Sequence, residues 1–266
     1  MGLGYHIVVC GSLVPDPLQT LEPVPGPALK NEAMLPSVLD PWAAHALYEA
    51  AHLAKKAESS KVWLVSLGSR AKLQQLMMTV AQKVPFELAV LDGSASGFTE
   101  PTQVAAALAG AIEGIQDLDR SRLLLFGGCA SATRDSGVTM QIVGERLGIV
   151  DQFLGVDALT IQADGSLKIK ERVEGGQYQV SICTGPPAVL AWATGNLPEP
   201  PNNPQIGMMN MRTLMPALAK ARPVSVTVDD IQFMNVELPG QRRATRIVKD
   251  VPVEEIAKEI VAWMKG

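Results

Sequence analysis

Short, nearly continuous apolar runs separated by segments of helical period constrain this chain more than any other feature. His6-Ile7-Val8-Val9-Cys10, residues 61–67 (KVWLVSL), residues 87–91 and Leu123-Leu124-Leu125-Phe126 each read as a strand buried on both faces. Between them lie helix signals. Asp40 is an N-cap, Pro41 suits the first helical position, and alanines carry that helix to about Lys56. Residues 71–83 predict a second helix, and residues 101–115 a third with Thr99 as its cap. The spacing of Val138, Ile142, Val143 and Leu147 predicts a fourth. The proline-rich residues 14–27 read as a loop. This alternation predicts an α/β fold, a doubly wound and mostly parallel sheet with helices on both faces.

Ligands of such sheets sit beyond the carboxyl ends of the strands. That rule gathers residues 11–16, 66–68 and 127–139 onto one edge. The most informative loop lies within residues 123–148 (LLLFGGCASATRDSGVTMQIVGERLG). The strand breaks at Gly127-Gly128, small and hydroxylic residues follow, and a helix begins. The first amides of a helix lack intrahelical partners and its dipole favours negative charge, so this loop points to a nucleotide phosphate.

Beyond residue 156 the pattern changes. Residues 158–162, 167–173 and 177–183 read as short strands joined by turns at Asp164-Gly165 and Gly175-Gly176. A proline- and asparagine-rich segment, residues 197–204, leads to a methionine-rich run at 207–215 (GMMNMRTLM), and residues 216–221 predict a short helix with Pro216 in its first turn. Residues 253–264 predict an amphipathic helix that starts after Pro252 and aligns Ile256, Ile260 and Met264 on one face.

Composition removes several classes of function. A net charge of −4 without a clustered basic face argues against nucleic-acid binding. No run of about 18 apolar residues is present to span a membrane. The opening MGLGYHIVVCGS reads as a strand rather than a signal peptide. Three widely spaced cysteines, Cys10, Cys129 and Cys183, fit a reducing cytoplasm better than a disulfide framework. Cys129, with no histidine near it in sequence, reads as a small buried thiol. His45 and His52 lie two helical turns apart, about 10 Å, too far for one metal. They read as a solvated or partly packed pair, and Asp16 as a turn residue. The chain therefore offers no set of catalytic acids, bases or nucleophiles and no metal site.

Six segments in order carry a family resemblance. They are Val14-Pro15-Asp16-Pro17, Asp40-Pro41-Trp42, Val65-Ser66-Leu67-Gly68, Asp135-Ser136-Gly137-Val138-Thr139-Met140-Gln141, Pro187-Ala188-Val189 and Met215-Pro216-Ala217-Leu218-Ala219-Lys220-Ala221-Arg222. Over roughly residues 5–225 the chain resembles the beta subunit of electron-transfer flavoproteins, whose patterns there are VPDP, Asn-Pro-Phe, VSxG, D-S-N-Q-T-G-Q, PAV and LPNIMKAK. The resemblance implies a sheet of the adenine nucleotide alpha-hydrolase-like type, with additional C-terminal strands and an extended C-terminal arm. It divides the chain into an α/β domain over residues 1–225 and an extension over 226–266 whose terminal helix packs on the partner subunit. It further implies a heterodimer with an alpha subunit that carries FAD, AMP bound in this chain, and a role as electron carrier from a flavin-dependent dehydrogenase to a membrane or soluble acceptor.

By that resemblance the nucleotide-binding candidates are Cys10, Ser12, Asp40, Ser66, Gly68, Gly127, Asp135, Ser136, Gly137, Val138, Thr139 and Gln141. Asp135, Ser136, Thr139 and Gln141 fall to the phosphate and nearby groups, and Ser66 and Gly68 to the adenine or ribose. The docking candidate for the dehydrogenase is Met215 in an ungapped alignment, or Leu214 with one inserted residue. The chain also departs from the pattern. Ala132-Thr133-Arg134 replaces an acidic run, Gly137 an asparagine, Val138 a glutamine and Met140 a glycine. Arg134 is a candidate counter-charge for the phosphate. Two further readings are an adenine-nucleotide-binding regulatory module without redox work and a bifurcating flavoprotein with a second FAD. The bifurcating branch has a D-G-D-T-A-Q-V-G loop, which this sequence matches less well.

Overall fold

Side chains that alternate between two cores set the layout of the chain. In strand β1 (His6–Cys10), Ile7 and Val9 enter one apolar core while Val8 and Cys10 enter the other. In the computed structural model, which describes residues 4–26, 28–93, 99–133, 137–193, 197–226, 240 and 247–265, further elements follow in chain order. They are β2 (Leu13–Pro15), β3 (Pro23–Val24), β4 (Ala28–Leu29), β5 (Ser37–Leu39), α1 (Pro41–Lys56), β6 (Lys61–Gly68), α2 (Arg70–Val80) and β7 (Glu87–Asp92). Next come α3 (Pro101–Glu113), β8 (Leu123–Gly128), α4 (Thr139–Arg146), β9 (Gln152–Ile161), β10 (Leu167–Val173) and β11 (Gln177–Cys183). The chain closes with β12 (Ala188–Trp192), α5 (Pro204–Ala219), β13 (Arg222–Pro223) and α6 (Val253–Lys265).

The main sheet runs β11-β10-β9-β12-β8-β1-β6-β7-β13. From β9 to β13 every neighbouring pair is parallel, and β10 and β11 add an antiparallel edge. Helices α1, α2 and α5 bury apolar residues in the core that holds Ile7, Leu64 and Phe126, and α3 and α4 do so in the core that holds Val8, Val65 and Leu125. This is the doubly wound α/β fold. The chain winds from β1 outward to β6 and β7, then returns to the other side of β1 at β8, and that reversal opens a crevice between neighbouring loops.

Several local expectations are corrected. The α3 cap is Glu100 rather than Thr99, because its carboxylate reaches the Thr102 and Gln103 amides at 2.8 and 3.3 Å. Residues 14–27 are not one loop, since β2 pairs with β5 and β3 with β4. β9 starts at Gln152, earlier than alternation suggested, because Gly155 and a register shift interrupt its pattern. The apolar run of β12 is a central strand between β9 and β8, fully buried and so without alternation. His45 is buried against Trp192, whereas His52 is exposed.

The methionine-rich run is helical throughout. Asn203 caps α5 by accepting the Gln205 amide at 3.0 Å, Pro204 occupies its first turn, and the helix continues through Pro216. Asn210 anchors it. The buried Nδ2 donates to the carbonyls of Ala81 and Val84, both at 2.8 Å, and Oδ1 accepts from the Phe86 amide at 3.4 Å. Leu214 and Leu218 pack inward beside it, which leaves Met208, Met209 and Met215 exposed on the outer side. Asn210→Ala strands those three backbone groups and is expected to cost on the order of 1–3 kcal/mol in urea denaturation. Met209→Ala, on the open side, is expected to stay within about 0.5 kcal/mol.

Candidate functional site

The crevice at the reversal is built from the ends of β1, β6 and β8 and the starts of α1, α3 and α4. Its polar members are Cys10, Ser12, Asp40, Thr99, Ser131, Thr133 and Thr139, and Pro101, Val104 and Leu108 of α3 supply an apolar wall. Asp40 joins three of these segments. Its backbone amide donates to the Ser12 carbonyl at 2.9 Å. Its carboxylate caps α1 by accepting the Trp42 amide at 3.1 Å, and it accepts the Ser131 hydroxyl at 2.8 Å and the Ala132 amide at 2.9 Å. With only 2 % of its surface exposed, Asp40 is a buried carboxylate satisfied by its neighbours.

Two glycines shape the loop after β8. Gly137 has φ +59°, and a Cβ there would lie 2.0 Å from the Cys129 carbonyl oxygen, so the backbone passes too close for any side chain. Gly127 leaves room for Met140, whose Sδ lies 2.3 Å from where a Cβ would stand. Met140 is thereby turned into the core beneath β8. The residue that stands where the resemblance has a glycine thus packs into the core and also lines the crevice.

The sequence candidates separate on this geometry. Cys10, Ser12, Asp40, Gly137 and Thr139 line the crevice. Ser66 is fully buried beneath it and donates its hydroxyl to the Gly11 carbonyl at 2.7 Å, so it braces the β1 end. Gly68 packs under Leu13 and Leu73, and Gly127 over Met140. Val138 stands exposed at the α4 N-cap. Gln141 lies in a groove along α4 with Ile142 and Glu145, its amide without a hydrogen-bond partner among the described residues. Asp135 and Ser136, with Arg134, lie outside the described residues. Ser131, Thr133 and the α3 wall were not singled out, although Ser131 and Thr133 are hydroxyls of the loop that the sequence marked. Of the docking pair, Leu214 is core and Met215 is open.

The α4 start supplies what a phosphate requires. The amides of Thr139, Met140 and Gln141 occupy the first turn, where no intrahelical acceptor exists, and the Thr139 hydroxyl lies in the crevice. Bounded by the described residues, the crevice encloses about 140 Å³, below the roughly 300 Å³ at which ordinary ligand sites begin. It is short of what a dinucleotide fills. At the crevice floor, burial pushes the Cys10 thiol up to about 12.

A mostly parallel sheet with helices on both faces and a crevice at its reversal places the protein among the doubly wound α/β proteins. A protein-family model described as the electron transfer flavoprotein domain matches residues 31–229, and the chain belongs to that family. No match was found among curated proteins. Electron transfer, association with flavin and partnering with other subunits and redox proteins belong to the family's character. Among the described residues, no group of three or more His, Cys, Asp and Glu is arranged for a metal, and no helix is long and apolar enough to cross a membrane.

Gly137→Ala is expected to destabilise the protein by about 1–3 kcal/mol in denaturant titration, because a left-handed residue gains a Cβ against a carbonyl. Burial keeps the Cys10 thiol protonated at pH 8. Iodoacetamide at that pH is expected to leave Cys10 unmodified in the folded protein, as read by peptide mass spectrometry.

Proposed function

We propose that this chain is the beta subunit of a heterodimeric electron-transfer flavoprotein and binds AMP in the crevice between β1 and β8. The observation that carries the reading is the meeting, in a chain of this family, of the Asp40-held loop and the open α4 N-terminus in one small crevice. The phosphate is held by the α4 amides and the Thr139 hydroxyl, and the sugar lies toward Asp40. Asp135 and Ser136 stay candidate phosphate contacts. The α subunit carries the FAD, which supplies the one-electron and two-electron chemistry when bound. This chain contributes shape, polarity and docking surfaces rather than an acid or base.

Residues 1–225 form the α/β domain in this reading, and residues 226–266 an extension that packs on the alpha subunit through α6. Helix α6 buries no residue, and Ile256, Ile260, Trp263 and Met264 stand exposed along it. The open methionines of α5, Met215 among them, suit an adaptable contact with a flavin-dependent dehydrogenase. Electrons then pass to a membrane or soluble acceptor, and we assign the protein to the cytoplasm. The limited crevice volume favours AMP over a second FAD.

The test is to co-express the chain with its alpha partner, denature the pure complex and separate the released nucleotides by chromatography. One FAD with one AMP is the expected result. Two FAD per heterodimer would replace this reading with a bifurcating flavoprotein, and a complex without flavin would leave a nucleotide-binding regulatory module. FAD alone would mean that the crevice holds no mononucleotide.

A further inference from the structure

The side of the crevice formed by Asp40, Ser131 and Thr133 has no proton left to give a ligand. Backbone amides donate to both carboxylate oxygens of Asp40, Trp42 to Oδ1 at 3.1 Å and Ala132 to Oδ2 at 2.9 Å. Ser131 spends its single hydroxyl proton on Oδ2 at 2.8 Å. Its Oγ therefore accepts from Thr133, from the hydroxyl at 3.0 Å and from the amide at 3.3 Å. The Thr133 proton is fixed toward Ser131 in turn, so only lone pairs are left on this arm. An asparagine cannot take the place of Asp40 without loss. Whichever way its amide is turned, the NH₂ group meets a backbone N–H.

The start of α4 is its complement. The first turn of α4 presents amide donors and the positive end of the helix dipole. An anionic group is repelled by the Asp40 carboxylate and attracted by the start of α4, while a hydroxyl finds in the arm acceptors that compete with no donor. Thr133 and Thr139 line the same small crevice, so a mononucleotide with its phosphate at the start of α4 brings the neighbouring part within reach of the arm. That part is the sugar.

We propose that the Asp40–Ser131–Thr133 arm determines the specificity of the crevice. It accepts the hydroxyl protons of the ligand's ribose and turns a phosphate away, toward the start of α4. The inference rests on the crevice being the mononucleotide site proposed above.

The experiment is isothermal titration of the full-length chain, stripped of bound nucleotide, with AMP, 2′-deoxy-AMP, 3′-deoxy-AMP and inosine monophosphate. A hydrogen bond to a charged acceptor corresponds to about tenfold or more in affinity. Loss of at least one sugar hydroxyl is expected to weaken binding by about that factor, while inosine monophosphate stays within about threefold of AMP. Asp40→Asn is expected to bring the ratio of AMP to the deoxy ligand within about threefold. Thr133→Val removes the outermost acceptor and leaves the bonds to Asp40, so it is expected to reduce the ratio too, and it serves if Asp40→Asn does not fold. Deoxy ligands that bind the native chain as well as AMP would overturn the proposal, as would a ratio that persists in both variants. Discrimination against inosine monophosphate alone would give the arm to the base amine and overturn the ribose assignment. If the native chain binds none of the four ligands, the mononucleotide reading itself fails and takes this inference with it.

Discussion

Everything around the crevice depends on one buried carboxylate. Asp40 begins α1, but its bonds reach well beyond the helix cap, to the β1–β2 turn through the Ser12 carbonyl and to the β8–α4 loop through Ser131 and Ala132. Three segments that are distant in sequence share this group. In a low-dielectric setting a buried charge is tolerated only when hydrogen bonds satisfy it, and here each bond also fixes a piece of loop. The arrangement is costly to disturb, since removing the acceptor leaves several buried donors without partners.

The strands that carry β1, β6, β7 and β8 were legible because a parallel sheet covered on both faces demands unbroken apolar runs. The helices were legible from period and from Pro41 and Pro101. What escaped notice had weaker signals. β12 is five apolar residues behind two prolines, and its central position follows from topology that one sequence does not display. α5 was shortened to its last turns because Pro216 reads as a start. The clamp from Asn210 to the Ala81 and Val84 carbonyls, which holds the helix in place, spans well over a hundred residues. At the site, residue types were legible but directions were not. Ser66 and Gly68 belong to the right loops yet support the crevice from below, and Met140 turns into the core where Gly127 admits it.

The same division of labour recurs in α5. A single polar side chain faces inward and anchors the helix, and the residues with the most adaptable side chains face outward. Leu214 and Met215 are neighbours in sequence with opposite roles, one in the core and one at the surface. A helix fixed so firmly on one side can present a soft surface on the other without losing its position.

Three helices open their N-termini toward the crevice, α1 at Asp40, α3 at Glu100 and α4 at Thr139, and each is a natural seat for negative charge. The protein fills the first two seats with carboxylates of its own. Among the described residues the third has no side-chain cap, so the negative charge that the crevice can still take up is limited by two residues that never leave. A resident counter-ion of this kind measures the ligand by its charge before any part of the ligand's shape is read.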